Sequence, residues 1–223
     1  MLIQRKTLPL ENGDSLTRKA FEHRYRAMPH VRKAELIEGI VYMGSPVRIT
    51  HGTPHAVIMA WLGIYWMATP GVQVADNTTV RLDLDNEPQP DGLLRVEEGG
   101  QSTISEDGYI EGAPELIVEI AASSASYDLR EKLQVYRRNG VQEYLIWQVY
   151  ENRFDWFQWH LGEYIRLEPD GEGIIKSQMF PGLWLPVEAL LTGNLAELRR
   201  ILTLGLATEE HTIFRQRLVV SPN

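Results

Sequence analysis

An α/β fold of the α+β kind, a mixed sheet flanked by helices, is what the sequence predicts, on three observations. Residues 116–121, Leu-Ile-Val-Glu-Ile-Ala, form a nearly unbroken apolar run of strand length, β-branched in its middle. Directly after it Asp128, Lys132 and Tyr136 recur every four residues, so a helix follows and carries all three on one face. Residues 53–69 hold Val57, Trp61, Ile64, Tyr65 and Trp66 among other apolar side chains on nearly every helical face, the pattern of a helix buried on several sides. Val80, Leu82 and Leu84 alternate with Arg81 and Asp83, which is the two-residue period of a half-buried strand.

Residues 1–13 are expected to form a loosely attached arm, residues 14–206 a single domain and residues 207–223 a C-terminal tail. Asp14 or Ser15 can cap a helix over 14–28, with Leu16, Ala20, Phe21 and Tyr25 on one side and Pro29 ending it. A strand from Glu35 to Tyr42 turns on Gly39, and 45–50 is expected to pair with it. Thr53 reads as the cap of the apolar helix, with Pro54 at its first position and Pro70-Gly71 beyond its end. Strands are expected at 72–74, 79–84 and 92–96, and the acidic, Gly-rich stretch 97–112 reads as a mobile loop. Ser126 is the candidate cap of the helix after the central strand, and Asn139-Gly140 stops it. A strand follows at 143–149, then an aromatic hairpin through Phe154, Trp156, Phe157, Trp159 and Tyr164, then apolar helices over 186–206. Packing of that hairpin against the sheet or a second subunit competes with stacking on nucleobases.

There is no cysteine among the 223 residues, so neither a disulfide nor a thiolate metal site can form. No apolar run is long enough to span a bilayer and the N-terminus has no signal-peptide core, so a cytoplasmic protein without membrane association is expected. The net charge of −8 argues against a nucleic-acid partner, because phosphate contacts need cations. Its distribution tempers that argument. Acids crowd between Leu82 and Glu119, whereas basic residues gather as Arg18, Lys19, Arg24, Arg26, Arg32 and Lys33, and again as Arg130, Arg137 and Arg138.

Glu119 is the conspicuous residue. A carboxylate inside the apolar run 116–121 is costly unless a charge partner or a metal ion holds it. A second acid, Asp91, opens another apolar run directly after Pro90. Pro-Asp at a strand entry, a later strand carrying Glu and a nearby lysine are elements of a known constellation. With Glu35-Leu-Ile-Glu-Gly39, His55 opening a helix, Gln89-Pro-Asp91, Gly112-Ala-Pro-Glu-Leu-Ile-Val-Glu119, Asp128-Leu-Arg-Glu-Lys132, Tyr136, Gly140-Val-Gln-Glu-Tyr144 and Phe180-Pro-Gly182, the chain resembles the PD-(D/E)XK restriction-endonuclease-like superfamily. Within it the likeness is to a bacterial family of endonuclease-like proteins formerly catalogued as a domain of unknown function, and it covers roughly residues 15–190.

The resemblance implies a restriction-endonuclease-like mixed sheet, a nucleic-acid substrate, DNA in the first instance, and a homodimer. It also implies a divalent cation, Mg²⁺ or Mn²⁺, held by Asp91, Glu119 and the Ile120 carbonyl, with Lys132 orienting or deprotonating the attacking water and Glu35 as a third acid. Strand alternation sends Glu35 and Glu38 to opposite faces, and the family pattern favours Glu35. His55 matches a family histidine, although a hydrogen-bonding helix-end imidazole reads equally well. The chain departs from the superfamily pattern at Ala121, where a lysine usually stands, and Lys132 on the following helix takes that place. It departs from the family at Ala122-Ser123, where Ser-Pro is commoner, and at Gln148, where Asp is common. Asp128 lies one turn before Lys132 and can pair with it. A non-catalytic binding module on the same fold and a hydrolase of another phosphate ester remain open beside the nuclease.

Overall fold

The computed structural model describes residues 7–122 and 125–220, the side chains of 125–129 and 220 excepted. The Ser126 cap and the Asp128–Lys132 pair therefore lie outside the described residues. Six strands form the central sheet: β3 (Val72–Ala75), β5 (Gly92–Val96), β8 (Leu116–Ala121), β9 (Glu143–Gln148), β10 (Arg153–His160) and β11 (Glu163–Arg166). Their order is β11-β10-β9-β8-β5-β3, with β8 and β9 parallel and every other pair antiparallel, so the sheet is mixed as expected.

The parallel pair forces a crossover, and α3 (Ala125–Arg138) supplies it between β8 and β9. Alternation along β8 then sorts the core. Leu116, Val118 and Ile120 join one cluster with Trp61, Leu62, Trp156 and Phe180, under α2 (Ile49–Ala68), α4 (Val187–Thr192) and α5 (Leu195–Leu206). Ile117 joins the other with Val135, Tyr136 and Tyr144, under α3. Glu119 shares the parity of Ile117 and so faces α3. On the first face the indoles of Trp61 and Trp156 meet edge to face at 5.9 Å, an arrangement worth ~0.5–1.5 kcal/mol beyond the area it buries.

Several expectations are corrected. The helix α1 (Arg18–Arg26) is capped by Thr17, whose hydroxyl accepts from the Ala20 amide, rather than by Asp14 or Ser15. The first hairpin lies entirely within the stretch expected as one bent strand: β1 (Ala34–Ile37) pairs β2 (Ile40–Met43), with Glu38 and Gly39 at φ 52° and 73° forming the two-residue turn. Residues 45–50 do not extend it, and α2 begins at Ile49, one turn before the expected cap. Pro54 is tolerated inside α2 because it lies so near the start that its missing N–H removes a single helical bond.

The stretch expected as a mobile loop is partly ordered. Within it β6 (Thr103–Ile104) and β7 (Ile110–Glu111) join β4 (Val80–Arg81) in a small three-stranded sheet, and Ser102 and Ile110 are buried. β12 (Ile174–Lys176) and β13 (Trp184–Pro186) form a hairpin with no strong sequence signal. Residues 209–220, assigned above to a tail, form helix α6 (Glu209–Val220), whose Phe214 and Leu218 pack on the larger cluster and whose buried His211 meets Thr69 Oγ1 at 3.0 Å. The arm is tied down where it is described: Leu10 is buried and the Gly13 amide donates to Val41 O. No described helix is long and apolar enough to cross a membrane.

Candidate active site

The site lies where β5 and β8 run side by side beneath α3. Their antiparallel register pairs Gly92 with Val118, so one step further sets Asp91 opposite Glu119. The Ile120 amide donates to Asp91 Oδ2 at 2.8 Å, which ties the aspartate to the residue after the glutamate. From α3, Lys132 and Tyr136, one turn apart, both donate to Glu119 Oε1, at 3.0 and 2.7 Å. Lys132 Nζ also donates to Glu35 Oε1 at 2.9 Å, and that oxygen accepts from the Gln89 amide at 2.7 Å. Asp91, Glu119, Lys132 and Glu35 are therefore one connected group, and all four side chains are buried.

Glu38 goes elsewhere. It lies in the hairpin turn and pairs with Arg138 at 2.9 Å, on the far side of the strand from Glu35. His55 reaches the site only through main chain: its Nε2 lies 2.9 Å from Asp91 O and 2.9 Å from Asp76 Oδ1. Both partners are acceptors, so Nε2 carries the proton. Ile120 meets Asp91 through its N–H. Gln148, at the family's common Asp position, donates to Asp155 Oδ2 at 2.7 Å, an acid also held by Arg153 and Arg166.

Two residues of the site escaped the sequence reading. His51 Nε2 lies 3.3 Å from Asp91 Oδ2, and Lys33 Nζ lies 3.4 Å from Asp91 Oδ1. His51 had a readable signal, since it stands four residues before His55 and their rings stack at 5.8 Å. That signal is lost when the helix is started at Thr53. Lys33 precedes β1 in an irregular segment and had none.

The electrostatics separate the two acids. Burial pushes Asp91 up, but the His51 hydrogen bond, the Lys33 charge and the Ile120 N–H outweigh it, so the carboxyl is held well below its ordinary range and is anionic at neutral pH. Burial pushes Glu119 up to about 7 against the pull of Lys132, with Asp91 and Glu35 adding like-charge repulsion. For Lys132 burial is outweighed by Glu119 and Glu35, and its pKa is raised, so the amine stays protonated.

The donor set fits a hard divalent cation of the water-rich kind. Mg²⁺ is commonly held by one or two carboxylates and keeps several waters. Here Asp91 is ionised, and of the two Glu119 oxygens Oε1 takes both hydrogen bonds, leaving Oε2 without one among the described residues. An all-protein cage is excluded among those residues, where no group of three or more His, Cys, Asp or Glu side chains could hold a metal ion.

The Uma2 family model, described as "Putative restriction endonuclease", matches residues 20–188. The chain belongs to the Uma2 family. All four connected side chains fall inside the matched span. Among solved structures, the chain is similar to one titled as a putative nuclease belonging to DUF820 from Anabaena variabilis, with TM-score 0.59 and 14% identity over 76% of this chain and 96% of that one. At that identity the likeness concerns the fold. No curated protein matches the chain.

Proposed function

We propose that this Uma2 protein is a divalent-metal-dependent nuclease that hydrolyses phosphodiester bonds, with DNA as the expected substrate. Asp91 and Glu119 would hold Mg²⁺ or Mn²⁺, with the Ile120 carbonyl as a further oxygen donor. When bound, the cation would polarise a phosphoryl oxygen and lower the pKa of a coordinated water. Asp91 enters that role already anionic, because His51, Lys33 and the Ile120 amide favour the charged form. Lys132, held protonated, acts as a donor: it orients the attacking water and stabilises charge developing on phosphorus, and proton abstraction is not its part. Glu35 and Tyr136 position that amine and Glu119, respectively. The observation that carries the reading is the contact of one buried lysine with two acids, beside a third acid on the neighbouring strand.

The charge pattern limits how DNA would be held. Of the basic residues conspicuous in the sequence, Arg18, Arg24, Arg26, Arg137 and Arg138 are engaged by acids. Among the described residues Lys19, Arg32, Arg48 and Arg130 are exposed and have no acid partner. Backbone contacts would fall to these few, and tight binding by charge alone is not expected. The assembly expected from the superfamily is a homodimer, which sedimentation tests. The deciding experiment is calorimetric titration with Mn²⁺ alongside cleavage assays on plasmid, single-stranded DNA and RNA, with and without chelator. Chelator-sensitive cleavage supports the proposal; no metal uptake and no cleavage of any polymer would falsify it.

A further inference from the structure

Away from the acid group, a cavity of about 170 Å³ opens between α1 and the segment before Pro88. At ~30 Å³ per water it has the volume of five or six water molecules, too small for a nucleotide but enough for one small organic group. Its walls are of two kinds: Tyr25, Met28 and Val31 give apolar surface, and Glu22, Glu87 and Arg81 give charge.

The charges around it do not balance. Arg81 pairs with Glu22, Asp107 and Glu111 at 2.9 to 3.0 Å; Arg18 lies 3.6 Å from Glu22 and 3.7 Å from Glu111; Arg26 lies 2.8 Å from Glu22 and 3.6 Å from Asp107. Three guanidiniums thus answer three carboxylates, and Glu87 is a fourth. Glu87 is 3% exposed, and its Oε2 is buried with no hydrogen-bond partner. The side chain facing it is another acid, Glu22, which offers no donor. Tyr109 cannot turn its ring to the cavity unencumbered, because the Arg81 guanidinium sits 4.3 Å above it.

We propose that this cavity binds a small organic cation, a primary ammonium on a short apolar body, with Glu87 as its counter-ion and Tyr25, Met28 and Val31 against its carbons. An ammonium supplies the donors that Glu87 Oε2 lacks, and its single charge cancels the one unmatched carboxylate. A divalent ion fits poorly beside three guanidiniums, and no cluster of metal-ligating side chains occurs among the described residues. In the empty cavity a proton takes the cation's place: burial, then the Glu22 charge, pushes Glu87 up to about 8 despite Arg81 and Arg18. Occupancy therefore displaces a proton. The site is independent of nuclease action, although Glu87 stands two residues before the Gln89 amide that holds Glu35.

The test titrates the full chain with n-butylammonium chloride at pH 7, against potassium chloride at equal ionic strength, in two buffers of different ionisation enthalpy. Saturable 1:1 binding with a buffer-dependent heat that reports proton release is expected. Glu87→Gln, nearly isosteric, should weaken binding at least tenfold and abolish the proton release. Val31→Trp, which fills the cavity and leaves the acids alone, should weaken it similarly, with thermal melts checking that both variants fold. Heats no larger than those of potassium chloride, or binding that both variants retain, overturns the proposal.

Discussion

Lys132 Nζ lies 2.9 Å from Glu35 Oε1 and 3.0 Å from Glu119 Oε1, so one amine bridges two acids delivered by separate pieces of the fold. Its removal leaves two buried carboxylates without their cation. Breaking a buried pair in this way costs ~3–5 kcal/mol. Lys132→Ala should therefore lower the unfolding midpoint markedly as well as abolish cleavage, and denaturant titration beside activity assays separates the two effects. A variant as stable as the parent would mean that the amine is not held as described.

Asp91→Asn keeps an oxygen to accept from the Ile120 amide while removing the charge. Folding should persist, and Mn²⁺ affinity measured by calorimetry should fall by at least ~tenfold, about 1.4 kcal/mol. Undiminished affinity would place the metal elsewhere.

Tyr136→Phe deletes one of two donors to Glu119 Oε1 and leaves Lys132 in place. A hydrogen bond to a charged group contributes ~1.5–3 kcal/mol, so a stability loss of that order is expected. Any loss in turnover should be smaller than that of Lys132→Ala, because Tyr136 acts through Glu119.

Glu87 supplies a pH signature of opposite sign to the usual carboxylate. Its folded pKa of about 8 lies above the ordinary 4.5, so the native state holds its proton more tightly than the unfolded chain. The stability this contributes is complete below about pH 4.5 and is lost as pH rises through 8. The stability difference between Glu87→Gln and the parent should therefore grow in favour of the variant from pH 5 to pH 8, as read by urea midpoints at each pH. A constant difference over that window would show that Glu87 does not retain its proton.

Gly182 explains part of the Phe180-Pro-Gly stretch. It has φ 88°, and a Cβ there would lie 2.8 Å from Gly205 O on α5. Gly182→Ala should cost ~1–2 kcal/mol from the left-handed backbone plus the steric overlap, detectable by thermal unfolding with no direct effect on metal binding.

The sequence revealed best what depends on local period. Glu119 stood out because a two-residue alternation left it alone among apolar neighbours, and Lys132 and Tyr136 fell on one helical face by their spacing of four. Asp91 was marked by the proline before it. What the sequence hid depends on contacts between distant segments or on competing local rules. Thr53-Pro54 imitates a helix start so well that the true first turn, with His51, was read as strand. The short strands β6, β7, β12 and β13 exist because a neighbouring segment supplies their hydrogen bonds, and a two- or three-residue strand has no period to read. Helix α6 lacks an amphipathic signature, and only Phe214, Leu218 and the buried His211 reveal its docking.

The β1–β2 hairpin belongs to no larger sheet, whereas Asp91 and Glu119 sit on the two neighbouring inner strands of the six-stranded one. Two acids are thus fixed by the stiffest part of the molecule, and the third rides on a small flap fastened by the Gln89 amide and the Lys132 amine. Lengthening or shortening the turn at Glu38-Gly39 would move Glu35 while its two companions stayed at rest. The flap is the natural place to retune this chemistry without rebuilding the scaffold.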